Sequence, residues 1–190
     1  SLETLTNDGQ ADIVFEVVGT DGDGDISDPA VITAQVDGSG TLTGSVEGDV
    51  LSGGAGDQTL TGGTGADVFQ WNFGDEGIGA TDTLTDFNQS GGSYDVTEGD
   101  VLDLSDLLVG EEALDHSSDL TLAQALDGTF MVVSSSNGGS DTTIVVDPDG
   151  AIGGNLQTIV IEGQDLTNGG TVSSAEVIES LLSTNSVVVD

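Results

Sequence analysis

The chain of 190 residues contains no lysine, no arginine and no cysteine, one histidine and two prolines. Without basic side chains it cannot meet phosphates, so nucleic acid is excluded as a partner, and so is electrostatic docking on anionic lipid. Without cysteine there are neither disulfides nor thiolate metal sites. A single imidazole, His116 in "LDHSSDL", cannot make a zinc hydrolase site, and no GxSxG nucleophile motif is present. No stretch reaches the ~18–20 apolar residues of a membrane helix, so direct membrane insertion is not expected. "SLETLTNDGQ" (1–10) lacks the basic and apolar regions of a secretory leader and reads as a cut inside a longer protein.

What is present is acid and glycine. Asp and Glu number 35, the formal charge is −35, and 30 residues are glycine. Self-repulsion on this scale opposes compaction. Yet 35% of the residues are hydrophobic, gathered in short Val/Ile/Leu runs, so a core can form if the repulsion is relieved. Carboxylates and main-chain carbonyls are hard oxygen ligands, suited to calcium. With so many acids some pair always lies at glycosidase spacing, so spacing alone does not argue for an enzyme.

An internal period is visible. Residues 44–70 divide into "GSVEGDVLS", "GGAGDQTLT" and "GGTGADVFQ". Leu42, Leu51, Leu60 and Phe69 recur every nine residues. Six glycine-containing residues make a turn, and the next three make a strand whose middle side chain points inward. Two units complete a coil, and coils stack into a parallel β-solenoid. Loops two units apart then lie on the same edge, where a cation can join one coil to the next.

The pattern resembles the calcium-binding nonapeptide GGxGxDx-(large apolar)-x of RTX (repeats-in-toxin) proteins. "GGTGADVFQ" fits at every position. The second copy has Gln58 in place of Asp, with Asp57 one position early, and the first has Ser45 and Glu47 at glycine positions. The resemblance implies several calcium ions. Asp49 and Asp67 would share one, with carbonyls from 44–48 and 62–66, including Gly44, Gly48, Gly62, Gly63 and Gly65. The loop of Gly53, Gly54, Gly56 and Asp57 would pair with 71–76, with Glu76 at the acid position.

Residues 82–108, "DTLTDFN…GDVLDLSDLL", are similar to the run that closes the β-roll in such proteins, with Asp86, Asp100 and Asp103 as candidate ligands and a long insertion, "QSGGSYDVTE". Leu84, Phe87, Leu102 and Leu104 are expected in the core, and Trp71 is expected to seal the end of the coils. Downstream, the residues predict a hairpin in 128–150, a strand in 156–166, a short helix in 119–126 and a final strand in "VVVD". A helix is expected over 173–183, capped by Ser173 and Glu176, with Ile178, Leu181 and Leu182 on one face.

"GADVFQWNFGDEG", "DTLTDFN", "GDVLDLSDLLVGE", "DTTIVVD", "QTIVIEGQDLT" and "VIESLLS" together resemble the C-terminal region of very large LapA-like RTX adhesins, over about 41–190. The resemblance implies three segments. Residues 1–40 would be the end of an immunoglobulin-like extender repeat or an N-terminal cap. Residues 41–110 would be the calcium-binding roll. Residues 111–190 would be a β-rich cap with a helix, carrying an uncleaved type I secretion signal. It implies as partners an ABC transporter, a membrane-fusion protein, an outer-membrane channel and upstream adhesin repeats. It places the protein outside the cell or at the bacterial surface, as a monomer.

Within 1–40, "DGDGD" sets Asp21, Asp23 and Asp25 at alternate positions. This turn is a further calcium candidate but not an EF-hand, since Ile26 stands where glycine is needed. The fold class is mainly β, and the expected function is calcium-dependent folding and export rather than catalysis. The alternative is a module that binds a sugar, peptide or surface.

Overall fold

A computed structural model describes residues 12–17, 30–35, 40–76, 79–89, 99–108, 121–151 and 154–189, with only the backbone of the first two segments. The described residues are mainly β with two helices, their strands arranged in two six-stranded sheets built largely of parallel pairs. Strand β1 (Asp12–Val17) pairs antiparallel with β2 (Ala30–Gln35). Six strands of three or four residues follow: β3 (Gly40–Thr43), β4 (Val50–Ser52), β5 (Gln58–Thr61), β6 (Val68–Gln70), β7 (Thr81–Leu84) and β8 (Val101–Asp103).

Successive strands go to opposite sheets. β3, β5 and β7 lie side by side in one, and β4, β6 and β8 in the other, all parallel. The register is the one the nine-residue period demands. Leu42 pairs with Leu60, and Leu51 with Phe69. These four side chains are at most 1% exposed, while their strand neighbours face outward or are half-buried. The columns continue through Leu84 and Leu102, as expected. Phe87 and Leu104 are buried, as expected, and the Phe69 and Phe87 rings meet at 6.3 Å and 53°. Trp71, expected to seal the end of the coils, is 1% exposed and lies instead within the stack, its indole against Gly53 and Asp82.

The tail extends both sheets rather than standing beside them. α1 (Leu122–Leu126) precedes the hairpin of β9 (Met131–Ser136) and β10 (Asp141–Val146). In its turn, residues 137–140, Asn137, Gly138 and Gly139 hold φ of 49°, 70° and 92°, which asparagine and glycine tolerate best. β11 (Gln157–Ile161) pairs antiparallel with β10 and parallel with β7, so it joins the hairpin to the nonapeptide strands. α2 (Ser174–Ser183) leads to β12 (Val187–Val188), which adds in parallel to β8. At the other end, β2 pairs in parallel with β4, so the N-terminal hairpin extends the second sheet. One apolar cluster runs from Leu42 to Val189.

The predicted cap of α2 forms in full. The Ser173 hydroxyl accepts from the Glu176 N–H at 3.3 Å, and the Glu176 carboxylate accepts from the Ser173 N–H at 2.9 Å. The apolar face is turned slightly from expectation: Val177, Ile178 and Leu181 are buried, while Leu182 is only partly so. Leu60→Ala, at the centre of a column, is expected to lower unfolding free energy by about 2–5 kcal/mol, whereas Val46→Ala, 73% exposed, should stay within about 0.5 kcal/mol. Denaturant unfolding in saturating calcium measures both.

Candidate metal centre

The turns before β4 and β6 stack on each other. The Thr64 N–H donates to the Ser45 carbonyl at 3.3 Å, and its hydroxyl to the Val46 carbonyl at 3.1 Å. The glycine positions of these turns leave no room for a side chain. A Cβ on Gly63 would lie 1.9 Å from the Ser45 carbonyl oxygen, and one on Gly48 would lie 2.6 Å from that of Ala66. Gly63 and Gly65 also hold φ of 104° and 125°, which other residues rarely adopt. The glycines thus permit the close approach that brings two rows of carbonyls together.

At the end of each turn stands a buried aspartate. Asp49, Asp67 and Asp100 are at most 3% exposed. They form a ladder: the Asp49 N–H donates to the Asp67 carboxylate at 2.8 Å, and the Asp67 N–H donates to the Asp100 carboxylate at 3.0 Å. The other Asp100 oxygen accepts from the Asn88 N–H at 2.7 Å. The steps span 18 and then 33 residues, so the acid column continues in space although its sequence period is broken. Asp86 joins from the other side, its carboxylate accepting from the Gly62 and Gly63 N–H groups at 2.9 and 2.8 Å.

Asp49, Asp67, Asp86 and Asp100 are therefore gathered along one edge with Gly44, Gly48, Gly62, Gly63 and Gly65. The donor chemistry fits calcium, because carboxylates and main-chain carbonyls line these turns. A Cβ on Gly62 would lie 2.2 Å from Asp67 Oδ2, and one on Gly44 would lie 2.2 Å from the Gly62 carbonyl and 2.7 Å from Asp49 Oδ2. Among the described residues no three acidic or imidazole side chains gather at metal-ligating spacing. A cation held here would draw on two carboxylates and on main-chain carbonyls.

The other candidates lie elsewhere. Gly53, Gly54, Gly56 and Asp57 form the turn before β5, and Asp57 accepts from the Thr81 N–H at 2.9 Å. Glu76 is bonded within its own loop, where it accepts from the Gly74 N–H at 2.7 Å. The carboxylate set against Gln58 belongs to Asp82, 24 residues on, because the loop between β6 and β7 is longer than a repeat. Asp82 was missed as a site residue. Its signal was its place in "DTLTDFN", where the acid precedes the next inward apolar residue, Leu84, by two residues, as Asp49 precedes Leu51 and Asp67 precedes Phe69. Asp103 closes its own turn by accepting from the Ser105 amide and hydroxyl at 3.1 and 2.6 Å. Asp21, Asp23 and Asp25 lie outside the described residues.

No protein-family model matches the chain. No curated protein matches it. Among solved structures it is similar to the solution structure of the AlgE6R3 subunit of the Azotobacter vinelandii mannuronan C5-epimerase. Identity is 21%, coverage is 79% of this chain and 77% of that one, and the TM-score is 0.44. That likeness is too distant to carry a function across.

Burial pushes the carboxyls of Asp82 and Asp100 up to about 6, against the hydrogen bonds each accepts. Their unfolded counterparts titrate near 3.8, so between these values the folded state holds protons that the unfolded chain has released. Without metal, stability is expected to fall as pH rises from about 4 to 6, and calcium affinity to rise over the same interval as Asp100, next to Asp67 in the ladder, ionises. Urea midpoints in EDTA and calcium titrations, each taken across pH 4–7.5, check the two trends. Gly63→Ala should cost about 2–4 kcal/mol by forcing the turns apart, whereas Gly54→Ala, which meets nothing within 4 Å, should cost about 1–2 kcal/mol for its φ of 67° alone. Unfolding of the calcium-loaded variants separates them.

Proposed function

We propose that this chain is a calcium-folded module of a large extracellular RTX adhesin, wound as a short β-roll and exported by a type I system. The observation that carries this reading is the ladder Asp49–Asp67–Asp100 along stacked glycine turns, in a chain with no basic residue. Buried carboxylates in a column repel each other and are costly unless compensated. No lysine or arginine can do so here.

Bound calcium would supply the missing positive charge through a flexible shell of oxygen ligands. Asp49 and Asp67, with the carbonyls of 44–48 and 62–66, would hold it, Asp100 would continue the acid column, and Asp86 would fix the Gly62–Gly63 turn. Where free calcium is scarce, as in the cytosol, the carboxylates keep the chain expanded and threadable through a transporter channel. Extracellular modules bind calcium at about 10⁻⁴–10⁻³ M, so the turns close only outside. Closure is then folding, because the stacked turns set the register of every short strand. Folding at the exit resists backsliding.

The ABC transporter, membrane-fusion protein and outer-membrane channel are the proposed partners, and the tail from about residue 130 is the proposed export signal. Among the described residues no helix is long and apolar enough to cross a membrane. The alternative, a ligand-binding adhesion module, would draw support from clustered exposed aromatics. Among the described residues Phe73, 64% exposed, is the one aromatic so placed.

Asp67→Ala is expected to raise the calcium midpoint of folding at least about tenfold, more than any other single acid change, as read by circular dichroism during a calcium titration. Deleting 130–190 from the secreted protein should abolish export by a type I system. Normal export with lost adhesion would favour the ligand-binding alternative.

A further inference from the structure

The first glycine of each repeat occupies the same place in its turn, and the three copies can be compared. At Gly44 and Gly62 the atoms within 3 Å of a Cβ would be the oxygens of Gly62, Asp49 and, for Gly62, the Asp67 side chain. At Gly53 the nearest atom is instead a nitrogen: Trp71 Nε1 at 2.1 Å, then Cδ1 of the same ring at 2.6 Å, then Asp82 Oδ2 at 2.7 Å. The hollow that faces oxygens on one edge is filled by an indole on the other.

The indole is one of three fixed donors on Asp82, which is fully buried. Oδ2 accepts from Trp71 Nε1 at 2.5 Å and from Gln157 Nε2 at 3.0 Å. Oδ1 accepts from the Gln58 main-chain N–H at 2.8 Å. Gln157 is also fully buried, and its Nε2 donates to the Thr158 carbonyl at 3.1 Å. Its Oε1 is buried without a hydrogen-bond partner. Turning the amide over to satisfy that oxygen would aim it at a carboxylate, so the unpaired oxygen accompanies the donation to Asp82. The repeat position held by Asp49 and Asp67 on the first edge is held here by the neutral Gln58.

Resting on the calcium reading of the first edge, we infer that the edge of the sheet carrying β5, β7 and β11 takes no cation at its buried carboxylate. The indole N–H of Trp71 and the carboxamide of Gln157 hold Asp82 in the position where the opposite edge would hold a metal. Three donors converge on one carboxylate in a water-excluded site, where charge-assisted hydrogen bonds are strong. A cation at Oδ2 would face the positive ends of the indole and amide dipoles. The two edges are therefore locked differently, one by metal and one by the protein's own N–H groups. The residues that do this come from beyond the repeats, which ties the closing of the tail (Gln157) and of the last turn (Trp71) to the second edge.

Crystals of the 190-residue chain soaked in terbium chloride test this. An anomalous peak between the turns 44–49 and 62–67, and none within about 2.6 Å of the Asp82 carboxylate, is the expected result. A peak ligated by Asp82 overturns the inference. A map without a peak between 44–49 and 62–67 overturns its basis, the calcium reading of the first edge, and the position of the failure separates the two cases. Trp71→Phe, which keeps a ring but removes the N–H, should lower the unfolding temperature in saturating calcium by roughly 5 °C. A variant as heat-resistant as the wild type overturns the role given to the indole.

Discussion

Counter-charge is the scarce quantity in this molecule. Two like charges 4 Å apart repel by about 1 kcal/mol in water and about 4 kcal/mol near a protein surface. With a formal charge of −35 and no lysine or arginine, the chain cannot relieve such terms by ion pairing of the usual kind. It relies on main-chain amides. Asp67, Asp100, Asp86, Asp57 and Asp82 each accept from a backbone N–H contributed by another coil. Each such bond couples one turn to the next, so electrostatic relief and coil stacking are the same event.

The apolar core could not fold the chain by itself. Its nonapeptide strands are three or four residues long and offer one or two inward side chains each. Their leucines become a continuous column only if successive turns bring them into register. A shift of one residue would turn Leu60 and Phe69 to the surface. Glycine at 48, 62 and 63 is what lets the turns approach closely enough to hold that register, since any side chain there would strike a carbonyl or a carboxylate. The tail contributes the more conventional part of the core, with Ile144, Val146, Ile159 and Ile161 packed in a cluster with Val177, Ile178 and Leu181.

Much of this was legible in the residues. The spacing of Leu42, Leu51, Leu60 and Phe69 corresponds to the observed strand register, and Ser173 with Glu176 marks the start of α2. The hairpin was legible because a Ser/Asn/Gly loop sits between two apolar runs. What the period could not reveal is how the coils end. The step from Gln58 to Asp82 is 24 residues and that from Asp67 to Asp100 is 33, so an extrapolation of eighteen lands on Glu76 and misses Asp82. Insert length is not encoded in a repeat. Nor does the sequence show that Gln157, 75 residues from Asp82, reaches the same carboxylate, or that β11 and β12 extend the two sheets. These contacts are set by tertiary packing, for which no local spacing rule exists.

The most direct test of the central claim compares metal-stripped and calcium-loaded protein by scanning calorimetry and far-ultraviolet circular dichroism at neutral pH. Addition of calcium in excess of EDTA should produce a cooperative gain of β structure and a heat-absorbing transition absent or much weaker before, with magnesium a poor substitute because it holds its waters and demands a tight octahedron. Stripped protein that is as ordered and as heat-resistant as the loaded form would contradict the account.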